Sequence, residues 1–165
     1  MKKINFLAIT LLLILPVLWF CDLTALTNVA ADSTGPVVSA VNKLSPKDLE
    51  LKTIEIADTP ENKSRGLMLR PTLCKECAML FVYDRPSHDS FWMKNTFVSL
   101  DMIFLDNTGK VITIHENTKP LDTKIKYAPT APYNYVLEVN SGFAKKYKIS
   151  LDSYINIDEL KLLSH

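Results

Sequence analysis

At 165 residues and 47% hydrophobic, the chain is long enough for one buried core and too short for two. Its 19 basic and 18 acidic residues nearly cancel, and no basic block stands out. That balance leaves no electrostatic footprint for nucleic acid or for an anionic membrane surface, so neither is an expected partner.

Met1-Lys2-Lys3 opens the chain, and an apolar run from Ile4 to Cys21 follows, broken only by Asn5, Thr10 and Pro16. Two lysines, an apolar core and the small residues Val29-Ala30-Ala31 have the anatomy of a signal peptide over residues 1–31, with Leu23 to Ala25 as a second cleavage site. Kept in place, the same run approaches the ~20 residues that span a bilayer and would anchor the chain by residues 4–21. A lipoprotein signal acylated at Cys21 fits less well, because Trp19 and Phe20 are bulky where small residues belong. The expected address is extracytoplasmic, periplasmic or secreted, with membrane contact only through this segment. Removing residues 1–31 takes Lys2, Lys3 and Asp22, so the basic count falls from 19 to 17, the acidic count from 18 to 17, and the mature chain is neutral.

Residues 32–48 are small, polar and Pro/Gly-marked, and read as a flexible tether to a single domain over 49–158. Leu49 to Ala57 has strand character with a change of parity between Leu51 and Ile54. Thr59-Pro60-Glu61 then forms the clearest helix start in the chain: an N-cap, a first-position proline and an acid in the first turn. This helix is expected to run to about Leu69 across Gly66, a residue that weakens it by about 1 kcal/mol and signals close approach to another backbone.

Cys74-Lys75-Glu76-Cys77 invites a metal or redox reading. Zinc would need further ligands, and His88, His115 and His165 supply no pair at ligand spacing, so no metal is expected. Thiol-disulfide catalysis wants its first cysteine at a helix N-terminus after a strand, whereas Cys74 follows a helix and Pro71. In an oxidising compartment a local disulfide is expected, worth on the order of 2 kcal/mol by the chain-entropy argument.

Ala78 to Tyr83 reads as a short strand. Ser87-His88-Asp89 has triad residue types, but neighbours on one loop do not readily assemble a triad, and neither a nucleophile elbow nor a phosphate loop occurs. The stretch from Phe91-Trp92-Met93-Lys94-Asn95-Thr96 through Phe97 to Leu105 reads as the first arm of a β-hairpin. Asp106-Asn107-Thr108-Gly109 turns it, and Val111-Ile112-Thr113-Ile114 returns. Trp92 and Met93, with Met68 and Met79, read as core packing. Glu116 to Pro132, with three prolines, is expected as a long ordered loop. Tyr135 to Val139 reads as a strand, Asn140 or Ser141 as the cap of a short helix stacking Phe143 on Tyr147, Tyr154 to Ile157 as a last strand, and residues 159–165 as a tail. Many short strands and two short helices predict a mainly β, α+β domain: a compact antiparallel barrel or sandwich.

Several blocks occur in one order: Arg65-Gly66-Leu67-Met68 with Arg70, Met79-Leu80-Phe81, Phe91 to Thr96, Leu100-Asp101 with Ile103-Phe104-Leu105, and Val136-Leu137-Glu138-Val139 with Gly142. Together they resemble the family called domain of unknown function 192, over roughly Leu49 to Ile157. The resemblance implies a compact, mainly β domain, often exported, with no established role. Two departures stand out: Ala78 replaces the glycine usual before Met-Leu-Phe, and Asp152-Ser153 replaces a Gly-Asp turn.

Buried without partners, the polar residues of these apolar blocks would cost about 1–3 kcal/mol each, so they pair with one another or line a cleft. Arg65, Arg70, Lys94, Asn95, Thr96, Asp101 and Glu138 are the candidate set. One reading is a structural network in which Asp101 and Glu138 pair with Arg65 and Lys94. The other is a ligand-binding or interaction module, non-enzymatic and without a cofactor, whose cleft lies between the first helix and the hairpin and whose partner is a small molecule or a protein. The enzyme alternatives are a small hydrolase using Asp101 or Glu138 as general base and a thiol-disulfide protein using Cys74 and Cys77.

Overall fold

The structure, a computed structural model, describes residues 43–164. The expected signal peptide and the tether as far as residue 42 lie outside them. Strand β1 is Lys43–Leu44, β2 Thr53–Ala57 and β3 Cys77–Ser87, with helix α1, Pro60–Arg65, between β2 and β3. Then come β4, Leu100–Leu105, β5, Val111–His115, β6, Tyr133–Asn140, α2, Phe143–Lys146, β7, Tyr154–Ile155, and α3, Ile157–Leu162.

Five strands form one sheet in the order β2-β3-β6-β4-β5, and β1 pairs with β7 in a small second sheet. The α+β, strand-rich class therefore holds, with differences in detail. The main sheet is open, and it is mixed because α1 carries the chain over so that β2 and β3 run parallel. The hairpin is β4–β5, in register from Met102 opposite His115, and its arm starts at Leu100 rather than Phe91. Phe91 to Thr96 is loop, joined to the long loop where Phe91 and Tyr127 exchange backbone hydrogen bonds at 3.0 and 2.9 Å.

A third helix appears where a tail was expected. Asn156 caps α3 by accepting from Glu159 N at 3.3 Å, and Ile157 and Leu160 are buried beneath it. Helix α1 starts at its Thr59 cap and Pro60 but ends four residues early, because Gly66 leaves helical geometry at φ 48°. A Cβ there would lie 3.2 Å from Phe81 Cζ, so the close approach is to a side chain of β3 and not, as expected, to another backbone. The ordered fold also begins before Leu49: residues 43–44 are β1, and Asp48 Oδ2 accepts from Ser45 N and Oγ at 2.9 and 2.7 Å to set a turn.

The pleat divides the interior into two faces. Ile54, Leu80, Ile103, Leu137 and Val139 pack with Phe143, Ala144, Ile155, Ile157 and Leu160 from the C-terminal elements. On the opposite face Met79, Phe81, Met102, Phe104 and Val136 pack with Leu67, Met93 and Tyr127 from the loops. All six residues of β4 are buried, so it reads as a continuous apolar run broken by Asp101. Both outer strands are covered. Ile54 of β2 donates from its N–H to Leu163 O at 3.3 Å, while Thr130 binds β5 through Thr113 Oγ1 and Ile112 O at 2.8 and 2.9 Å.

Candidate functional site

On the loop-covered face, a cleft of ≈ 140 Å³ opens between the end of α1, strand β3 and the segment from Asp89 to Thr96. Lys63, Arg65 and Leu67 form one wall, Phe91, Trp92 and Thr96 the other, and Phe81, Tyr83 and Glu138 also line it. The aromatic packing is edge-on: Phe91 meets Phe81 at 5.0 Å and Phe104 at 5.5 Å between ring centroids. Tyr83 meets Tyr133 at 5.1 Å, and Lys63 Nζ lies 4.4 Å from the Tyr83 centroid.

Glu138 gives this cleft its chemistry. It sits on β6, in the middle of the sheet, opposite Met79 on one side and Met102 on the other. Two thioether neighbours and a central strand leave it 5% exposed, and among the described residues its carboxyl meets no hydrogen-bond or ion-pair partner and reaches solvent only through the cleft. Burial alone pushes its pKa up to about 8, so at neutral pH it is mostly a protonated acid able both to donate and to accept. Tyr83 is pushed up as well, first by burial and then by the neighbouring Tyr133, and stays a phenol.

The candidate set divides. Arg65, Thr96 and Glu138 meet in the cleft. Arg65 is exposed at its rim and donates to Asn62 Oδ1 at 3.4 Å. Thr96 is buried and donates from Oγ1 to Lys94 O at 3.2 Å. Arg70 instead forks onto Glu55, its Nη2 donating to Oε2 at 2.6 Å, a bond that lowers the Glu55 pKa and raises that of Arg70. Lys94 and Asn95 are exposed on the neighbouring loop, where Asn95 O accepts from Leu69 N at 2.8 Å.

Asp101 lies on the other face, paired in register with Val139, so one residue of strand parity separates the two carboxyls. No cation meets it. Its Oδ1 accepts from Asn117 N and its Oδ2 from Ala144 N, each at 2.9 Å. The expected pairing of Asp101 with Arg65 or Lys94 is thus replaced by a carboxylate satisfied by backbone, which holds α2 against the sheet. With both oxygens occupied and no exposure, Asp101 is not placed to act as a general base.

Sequence reasoning missed Lys63, Tyr83, Asp89, Ser90 and Phe91 and read Trp92 as core, whereas Trp92 is 43% exposed. Phe91 and Trp92 are adjacent in the Phe91 to Thr96 stretch, yet only the loop geometry shows one packed against Phe81 and the other exposed. Cys74 and Cys77 form the expected disulfide, with Cα atoms 5.1 Å apart, braced where Asn140 Nδ2 donates to Cys74 O at 2.8 Å. Ser87 Oγ donates directly to Asp89 Oδ2 at 3.0 Å, leaving His88 out of any relay. Among the described residues no group of three His, Cys, Asp or Glu could hold a metal ion, and no helix is long and apolar enough to cross a membrane.

The family model for domain of unknown function 192, described as Uncharacterized ACR, matches residues 40–157. No curated protein matches the chain. Two solved structures do. A protein of unknown function from Novosphingobium aromaticivorans DSM 12444 is 35% identical, with a TM-score of 0.56 over 59% of this chain and 69% of that one. A candidate transcription regulator from Sinorhizobium meliloti 1021 is 36% identical, with a TM-score of 0.57 over 59% of this chain and 74% of that one.

Proposed function

From the premise that this chain belongs to the domain of unknown function 192 family, whose biochemical role is not established, we propose that it is an extracytoplasmic binding module. Its cleft takes a small molecule with a planar or apolar body, seated against Phe81, Tyr83 and Phe91, and a polar group that meets Glu138. One observation carries this reading: a desolvated acid on the central strand, unpartnered by the protein and facing a cavity. Such a group destabilises the empty fold, and a ligand hydrogen bond offsets that penalty. Lys63 and Arg65 at the rim favour a neutral or anionic ligand over a cation.

The hydrolase alternative rests on Glu138 alone, since Asp101 faces away. A general acid needs a second group for the attacking water or nucleophile, and the other acid lining the cleft, Asp89, is exposed and bound to Ser87. Native mass spectrometry of the chain purified from its own compartment tests the binding reading. Wild type should retain a small molecule. Glu138→Ala should lose it by tenfold or more, about 1.4 kcal/mol, while Glu138→Gln, which keeps a donor and an acceptor, should hold it more nearly. A turnover that titrates with Glu138 would establish the enzyme reading instead.

A further inference from the structure

Three loops meet beside the cleft, and they collect most of the apolar surface this fold leaves exposed. Of the seven large hydrophobic residues exposed among the described residues, Leu69, Trp92, Phe97, Leu121 and Ile125 lie on the loops 66–70, 92–97 and 119–126. Backbone hydrogen bonds stitch these loops together: Leu69 N to Asn95 O at 2.8 Å, Leu121 N to Thr96 O at 3.0 Å, and Met93 N to Asp122 O at 3.2 Å. Leu69 and Leu121 are 69% and 55% exposed, and both stand in left-handed backbone, at φ 61° and 62°. A leucine tip held in water on strained backbone gains nothing for the isolated fold.

Charge selects the partner. Around these tips stand the exposed Lys94, Lys119, Lys124 and Lys126, against one acid in the three loops, Asp122. Asp122 is occupied: its Oδ1 accepts from Lys124 N and Ile125 N at 2.7 and 3.1 Å, and its Oδ2 lies 3.7 Å from Lys119 Nζ. Lys126 and Lys94 flank Trp92, their Nζ atoms 4.1 and 5.3 Å from its ring. A tryptophan, aliphatic tips and a collar of lysines have the composition of an interfacial anchor: apolar tips enter the headgroup region while the amines meet anionic phosphates. Apart from Trp92, the tips do not line the cleft, so they project instead of forming a seat for a peptide.

We propose that this lip is a docking surface for an anionic lipid bilayer, which would bring the mouth of the cleft to the membrane. The patch is local, so it coexists with a near-neutral chain.

The test uses the full chain carrying Trp19→Phe, which leaves Trp92 as the sole tryptophan. Its emission and its quenching by brominated lipid are read on vesicles of phosphatidylcholine, with and without phosphatidylglycerol. Because Trp92 is the probe, binding through the N-terminal apolar run leaves the signal unchanged unless the lip itself inserts. The expected result is a blue shift with quenching on anionic vesicles only. It should weaken about fivefold for each of Lys94→Gln, Lys124→Gln and Lys126→Gln at low salt, and disappear in Leu69→Ser with Leu121→Ser. Emission that stays in water on anionic vesicles would overturn the proposal, as would equal insertion into neutral vesicles or indifference to the lysine changes. A blue shift that grows with protein concentration without vesicles would also overturn it, assigning the patch to a second copy of the chain.

Discussion

Glu138 concentrates the chemistry of this fold in one side chain, and its protonation makes a definite prediction. The folded pKa, about 8, lies above the ordinary 4.5, so the folded state binds the proton more tightly than the unfolded chain. The stability linked to Glu138 is therefore complete below pH 4.5, falls as pH rises, and levels off once pH passes about 8. At about 1.4 kcal/mol for each tenfold change in proton affinity, the loss reaches a few kcal/mol. Melting curves of wild type and Glu138→Gln at pH 5, 7 and 9 should diverge, with the variant gaining on wild type towards pH 9. Parallel curves would mean that the carboxyl is hydrated in the cleft. The identity of this residue was legible because an acid inside Val136-Leu137-Glu138-Val139 is conspicuous. Its isolation from any cation was not, because that depends on which strands flank β6.

At the scale of elements, the disposition of β4 and α2 reverses an expectation. A buried carboxylate in an apolar strand suggests a salt bridge, and Arg65 and Lys94 were the cations in view. Backbone N–H groups satisfy Asp101 instead, and nothing in the local sequence reveals them, because Asn117 and Ala144 are 16 and 43 positions away. Asp101→Asn would keep one acceptor and turn an NH₂ towards an N–H donor, which should cost about 2–3 kcal/mol and loosen α2. Arg65→Met should be nearly neutral. The two changes should add within about 0.5 kcal/mol in thermal melts, whereas a coupling of 1 kcal/mol or more would restore the ion pair. Helix α1 illustrates the opposite case. Its cap and proline were readable locally, while its early end, where Gly66 turns to φ 48° with Phe81 of β3 leaving little room for a larger residue, involves a neighbour across the β2-α1-β3 crossover.

Over the whole molecule, the sheet assigns its faces different duties: one is sealed by α2, α3 and β7, and the other bears the cleft and the lip. Leu160→Ala, in the sealed layer, should lower stability by about 2–5 kcal/mol and leave ligand retention unchanged, a separation that melts and native mass spectra can check together. Six of the seven strands, the turns and the β4–β5 hairpin were legible from alternation and turn chemistry, while β1 lay inside the expected tether. The parallel β2–β3 pair and α3 were not, since pairing partners and a six-residue helix leave weak local signals. The covers on β2 and β5 have a further consequence. An open sheet ends in rows of unpaired N–H and C=O groups that invite a neighbouring molecule to add its own strand; Leu163 O accepts from the Ile54 N–H of β2, Thr130 Oγ1 donates to Ile112 O of β5, and residues 163–164 and 128–130 lie across the two edges. Shortening the chain after Ile155 would bare the edge of β2 along with the core beneath α3. The truncated protein should then polymerise edge to edge, seen as thioflavin-positive fibres, where the intact chain remains dispersed.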